Sequence, residues 1–135
     1  MHLFAYGTLM FPEVWRCVTG SRFEAVPATL RGYRIRCVRN DLYPVIFPNA
    51  DLSESSKVTG LVYLDVDSAC FERLDAYESS VYDRVEVAVD LQQGDVLKCQ
   101  AYVLARRHRD LASDETWDAG WFLKHALSEY MRRLR

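Results

Sequence analysis

The sequence predicts an α+β fold: a small mixed or antiparallel β-barrel with flanking α-helices, in a single domain over residues 1–135. Three observations predict it. Strand-like segments outnumber helical ones, and the helices interrupt them without a regular β-α-β alternation, which argues against a doubly wound parallel sheet. Gln93-Gly94-Asp95 joins two alternating runs in the way a hairpin turn does. Half of the 135 residues are hydrophobic, so one real core is available, and the chain is too short for two.

In chain order, His2–Tyr6 reads as a short buried strand that stops at Gly7. Pro12–Val18 is a short helix ended by Gly20. Residues Ala25–Val38 alternate loosely through Ala28, Leu30, Tyr33, Ile35 and Cys37, giving one or two strands broken at Gly32. Tyr43–Pro48 is a brief apolar strand between prolines, which places it at an edge or a rim. Asp51–Ser56 is polar and turn-like, and Val58–Val66 is a strongly apolar strand. Asp67 and Ser68 are suited to cap a helix that runs to about Glu78.

Tyr82–Leu91 alternates cleanly, with Val81, Val85, Val87 and Val89 on one face and Tyr82, Arg84, Glu86 and Ala88 on the other. Val96–Ala105 is its expected hairpin partner. Thr116–Leu134 carries helical periodicity in Trp117, Trp121, Phe122, His125, Leu127, Met131 and Leu134.

Bulk properties narrow the function classes. The net charge is −2, with both signs mixed along the chain, so no nucleic-acid footprint is expected. No segment approaches the ~20 apolar residues of a spanning helix, so no membrane partner is expected. The four cysteines, Cys17, Cys37, Cys70 and Cys99, have no C-x-x-C spacing and apolar surroundings. They read as small buried hydrophobes in a reducing compartment. Met1 leads directly into the first strand without a secretory leader, so a cytoplasmic location is the expectation. Arg84 with Glu86 reads as a solvated charge pair, and Arg106-Arg107-His108-Arg109 as a solvated loop. His2 reads as a strand-end residue and His125 as a partly buried core residue.

Two features carry chemistry. A strand that stops at a glycine and turns into a helix leaves backbone N–H groups unpaired, and Tyr6-Gly7-Thr8-Leu9 is such a turn, able to hold an anion or a developing oxyanion. Thr8 is equally suited to capping its own turn. The second feature is Glu78. At about 100° per residue it falls inside the apolar arc of Cys70, Phe71, Leu74 and Tyr77. Either the helix end frays and releases the carboxylate to solvent, or the carboxylate is buried and functional. Tyr82 and Tyr102 fit two descriptions as well: substrate-binding hydroxyls, or core aromatics with hydrogen-bonded tips.

Phe4-Ala5-Tyr6-Gly7-Thr8-Leu9 resembles the Tyr-Gly-Ser/Thr-Leu signature of the γ-glutamylcyclotransferase-like proteins. Leu30-Arg31-Gly32-Tyr33, Tyr43-Pro44 and Val58-Thr59-Gly60-Leu61-Val62-Tyr63 follow in the family's order. Leu74-Asp75-Ala76-Tyr77-Glu78, followed by Tyr82-Asp83-Arg84-Val85-Glu86-Val87, resembles the family's Leu-Asp-x-Tyr-Glu-Gly…Tyr-x-Arg segment, with Ser79 where that pattern has glycine. The resemblance runs from about Leu3 to Tyr102. It implies a cavity lined by the Tyr6–Leu9 loop and Glu78 as the acid–base residue, with no metal or cofactor.

The implied reaction is release of 5-oxoproline from a γ-glutamyl amide or amine by attack of the substrate's own α-amino group. Two alternatives use the same barrel: hydrolysis of γ-glutamyl amides, and non-catalytic binding of a small ligand. The expected partner is therefore a small γ-glutamyl molecule, with the protein a monomer or a homodimer.

Overall fold

The structure, a computed structural model, describes residues 1–49 and 56–134. The strands are β1 (Leu3–Ala5), β2 (Ala25–Arg31), β3 (Tyr33–Cys37), β4 (Pro44–Pro48), β5 (Lys57–Tyr63), β6 (Tyr82–Leu91) and β7 (Val96–Leu104). The helices are α1 (Pro12–Thr19), α2 (Ser68–Glu78), α3 (Ala119–His125) and α4 (Leu127–Leu134), with 3-10 turns at Thr8–Met10, Ser79–Val81 and Arg106–Leu111. The polar turn predicted over Asp51–Ser56 lies, apart from Ser56, outside the described residues.

Five strands close a barrel in the order β1-β5-β2-β6-β7. Every pairing is antiparallel except the closure, where Leu3 of β1 lies parallel to Gln100 of β7. The barrel is thus mixed. β3 and β4 form a separate antiparallel pair, with Cys37 opposite Pro44, so the proline-flanked strand is at a rim, as its sequence predicts.

Strand alternation sorts the core into layers. In β1, Phe4 packs in a cluster with Val62, Val89, Ala101 and Ile46. Its neighbours Leu3 and Ala5 belong to a second cluster with Trp15 and Phe71, where α1 and α2 cover the barrel. Both faces of β1 are buried, which explains its uninterrupted apolar run. Helix α2 begins as expected: the Asp67 side chain accepts a hydrogen bond from the N–H of Cys70 at 2.8 Å.

Several expectations are corrected. The strand predicted to reach Val66 ends at Tyr63, because Leu64 N–H bonds to the Glu24 carbonyl and Asp65 turns the chain with φ 54°. The long C-terminal periodicity is two helices. Residues 116–118 lie outside any helix, the Asp118 side chain caps the N–H of Trp121 at the start of α3, and the backbone swings at Ala126 (φ −128°) before α4. The buried stripe there runs through Phe122, Ala126 and Tyr130, so His125 is exposed and packs on Trp121 instead of entering the core. Cys17 is also exposed, because α1 buries Val14, Trp15 and Thr19 and position 17 falls on the far side. Cys37 is half-buried, and Cys70 and Cys99 are buried. The predicted solvated loop at Arg106–Arg109 is wound into a 3-10 segment. Arg84 pairs with Asp75 of α2 at 3.0 Å and lies over the Phe71 ring; Glu86 is not its partner.

Candidate active site

The loop after β1 is fixed by two close approaches. A side-chain carbon on Gly60 would sit 2.2 Å from the Ala5 carbonyl oxygen, so only glycine lets β1 cross β5 at this point. A side-chain carbon on Gly7 would sit 2.6 Å from Cγ of Pro44. The chain then tightens into the 3-10 turn at Thr8–Met10, whose first N–H groups, those of Thr8 and Leu9, have no backbone partner among the described residues. The Tyr63 hydroxyl donates to the Leu9 carbonyl at 2.7 Å, and Trp15 stacks on the Tyr63 ring at 3.7 Å, supporting the turn from below.

Helix α2 ends against this loop. Its last two residues, Tyr77 and Glu78, border a cavity of about 160 Å³ together with the Tyr6–Leu9 loop. Glu78 is half-buried, and desolvation raises its carboxyl from 4.5 to about 8. The side chain therefore does not escape into bulk water at a frayed helix end. The lining has six tyrosines and no lysine, arginine or histidine among the described residues.

All the predicted site residues, Tyr6, Gly7, Thr8, Leu9, Glu78, Tyr82 and Tyr102, border this one cavity. The hydroxyls of the three predicted tyrosines are already engaged. Tyr6 donates to the Tyr102 carbonyl at 2.6 Å, Tyr82 to the Pro44 carbonyl at 2.7 Å, and Tyr102 to the Asp75 carboxylate at 2.6 Å. Tyr82 and Tyr102 thus each donate their proton within the protein while bordering the cavity. Burial raises the Tyr6 and Tyr82 hydroxyls further above their ordinary value, with the Glu78 charge adding to it in each.

Among the wall residues that the sequence did not single out are Tyr77 and Tyr130. The Tyr77 hydroxyl meets Thr8 Oγ1 at 2.9 Å and also the Tyr130 hydroxyl, linking the loop, α2 and α4. Tyr77 reads in sequence only as a member of an apolar arc. Tyr130 has no signal beyond helical spacing, since its partner is far away in the chain. Ser79, just past Glu78, has φ 62° and ψ −164°, a region that glycine occupies freely and that costs other residues about 1–3 kcal/mol. The glycine missing from the resembling motif is therefore missing where the backbone needs one.

Among the described residues, no group of three or more His, Cys, Asp or Glu side chains is arranged to hold a metal ion. No helix is long and apolar enough to cross a membrane.

Residues 3–119 match the family model for gamma-glutamyl cyclotransferase, AIG2-like. Protein AIG2 C of Arabidopsis thaliana is 30% identical over 127 residues, covering 93% of this chain and 74% of that protein. AIG2-like protein A of the same plant is 36% identical over 88 residues, 65% of this chain and 51% of that protein, so the chain spans about half the length of that relative. A solution structure of another Arabidopsis thaliana protein superposes with a TM-score of 0.72 at 29% identity, over 98% of this chain and 80% of that one. A solved gamma-glutamyl cyclotransferase shares the fold, with a TM-score of 0.61 at 18% identity over 99% of this chain and 85% of that one. The family match takes in every cavity residue described above except Tyr130, and the chain belongs to the gamma-glutamyl cyclotransferase, AIG2-like family.

Proposed function

We propose that this protein releases 5-oxoproline from a γ-glutamyl amide or amine, with Glu78 as general acid–base. The observation that carries the reading is the desolvated Glu78 carboxyl bordering the same small cavity as the Thr8–Leu9 turn. The substrate's α-amino nitrogen bonds to its own γ-carbonyl carbon, closing a five-membered ring, and the γ-carbon–nitrogen amide bond breaks. Folding the substrate back in a confined cavity makes that attack intramolecular. Glu78 takes the proton from the attacking amine and returns it to the departing one, so the carboxyl ends as it began. Its value of about 8 lies close to that of a free α-amino group, also about 8, so the transfer runs nearly level.

In this reading the N–H groups of Thr8 and Leu9 hold a substrate oxygen: the α-carboxylate or the tetrahedral oxyanion. Holding the α-amino group beside its own γ-carbonyl in a cavity of about 160 Å³ favours cyclisation over attack by water. The four free cysteines support a reducing, cytoplasmic setting.

Glu78→Gln tests the assignment against a panel of γ-glutamyl amides, with products identified by mass spectrometry. The expected outcome is loss of 5-oxoproline release with ligand binding retained. Undiminished turnover rejects Glu78 as the acid–base residue, and glutamate as the wild-type product rejects cyclisation.

A further inference from the structure

We propose that Arg107 is a positioning residue for Glu78: it clamps the turn in which Ser79 is held in a glycine-type backbone conformation. The inference rests on the reading of Glu78 as the acid–base residue. Ser79 immediately follows Glu78, at φ 62° and ψ −164°. Such a conformation persists in a residue with a side chain only where the surroundings over-determine it.

The surroundings here are specific. Behind the turn, the Ser79 N–H donates to the Asp75 carbonyl, ending α2. Ahead of it, the Ala105 N–H at the end of β7 donates to the Val81 carbonyl at 2.9 Å. Between these two anchors Arg107 reaches across from the 3-10 segment after β7. One guanidinium nitrogen of Arg107 donates to the Ser80 carbonyl at 2.7 Å, and the other lies 3.9 Å from the Asp83 carboxylate at the start of β6.

The consequence follows from backbone geometry. If φ of Ser79 relaxed to negative values, the Glu78–Ser79 peptide would rotate. The rotation would take the Ser79 N–H off the Asp75 carbonyl and open the last turn of α2, the turn that carries Glu78. The Arg107 bond to Ser80 opposes that rotation one residue beyond the strained position. The accompanying Arg107–Asp83 ion pair is exposed on both sides and contributes little to global stability. This also gives a role to one arginine of the basic run at Arg106–Arg109, which the proposed chemistry leaves unused.

The test is a four-protein cycle of wild type, Arg107→Met, Ser79→Gly and the double variant, assayed for 5-oxoproline release. Arg107→Met is expected to lower kcat by about three- to tenfold, up to ~1.4 kcal/mol in the barrier, with KM nearly unchanged. In the Ser79→Gly background the same substitution is expected to change kcat by less than about twofold, because glycine adopts the turn without the strain that the clamp opposes. Arg107→Lys, which keeps one donor for Ser80, should recover part of the loss. An Arg107→Met enzyme as active as wild type overturns the proposal, and so does an equal loss in both backgrounds.

Amide hydrogen exchange at Ser79 supplies a readout independent of activity. Faster exchange in Arg107→Met, absent in the double variant relative to Ser79→Gly, supports the clamp, and unchanged exchange overturns it. A wild type that releases no 5-oxoproline defeats the reading of Glu78, and exchange alone then judges the clamp.

Discussion

The hydroxyl of Tyr77 lies 2.9 Å from Oγ1 of Thr8 and also bonds to the hydroxyl of Tyr130. One phenol on α2 thereby ties the loop after β1 to the C-terminal helix. Three hydroxyls in a row contain two internal hydrogen bonds, so one O–H remains for a ligand in the cavity. Tyr77→Phe breaks both bonds at once and leaves two nearly buried hydroxyls without their shared partner. The expected cost is about 1–3 kcal/mol in chemical denaturation. In the γ-glutamyl assay KM should rise more than kcat falls, because the Thr8 end of the binding loop is loosened while Glu78 is retained.

The raised carboxyl of Glu78 fixes the sign of two pH effects. The folded protein keeps a proton up to about pH 8 that the unfolded chain releases near 4.5. The stabilisation tied to that proton is complete below about 4.5 and is lost as pH climbs through 8. Within the window the slope approaches about 1.4 kcal/mol per pH unit. Denaturation at a series of pH values should show this fall in the wild type and its disappearance in Glu78→Gln.

Activity should run the other way. The carboxylate is the form that accepts the amine proton, so kcat/KM of the free enzyme is expected to rise with pH until it levels near 8. A rate profile already flat from pH 5 upward would mean that the group in action is an ordinary carboxylate.

Asp75 receives the Tyr102 hydroxyl at 2.6 Å and the Arg84 guanidinium at 3.0 Å. Asp75→Asn keeps an oxygen for the phenol and loses the ion pair, which is partly exposed on both sides, so a change under about 1 kcal/mol is expected. Asp75→Ala removes the acceptor as well and should cost more. Thermal denaturation of the two variants separates the hydrogen bond from the charge.

Local periodicity accounts for what the sequence made legible. Alternation and turn residues marked β1, β6, β7 and their hairpin, and helical spacing put Glu78 within the apolar arc of α2. Relationships between distant segments left no such trace. The parallel closure of Leu3 on Gln100 depends on how the barrel curls, and the meeting of Thr8, Tyr77 and Tyr130 depends on three elements converging. The break at Ala126 was hidden because apolar spacing continues across it, and hydrogen bonds do too: Ala126 N–H reaches the Phe122 carbonyl and Tyr130 N–H the Ala126 carbonyl. The Ser79 conformation was half legible, since the missing glycine stood out in the motif while the backbone angle did not.

Gly7 and Gly60 both hold the Tyr6–Leu9 loop in place, and their obstacles differ in kind. A methyl at Gly60 meets a backbone oxygen, that of Ala5, at 2.2 Å, and no side-chain rotation can clear it. Gly60→Ala must therefore push β1 off β5, and about 1–3 kcal/mol or more of stability should go with it. A methyl at Gly7 meets the ring of Pro44, at 2.6 Å from Cγ and 3.0 Å from Cδ. Both of those ring atoms disappear in Pro44→Ala. The double variant Gly7→Ala/Pro44→Ala should then regain stability and 5-oxoproline release that Gly7→Ala alone loses, whereas adding Pro44→Ala to Gly60→Ala should regain nothing. Equal behaviour of the two glycines in that comparison would show that loop placement does not depend on these contacts, because only one of the two clashes is relieved by removing the ring.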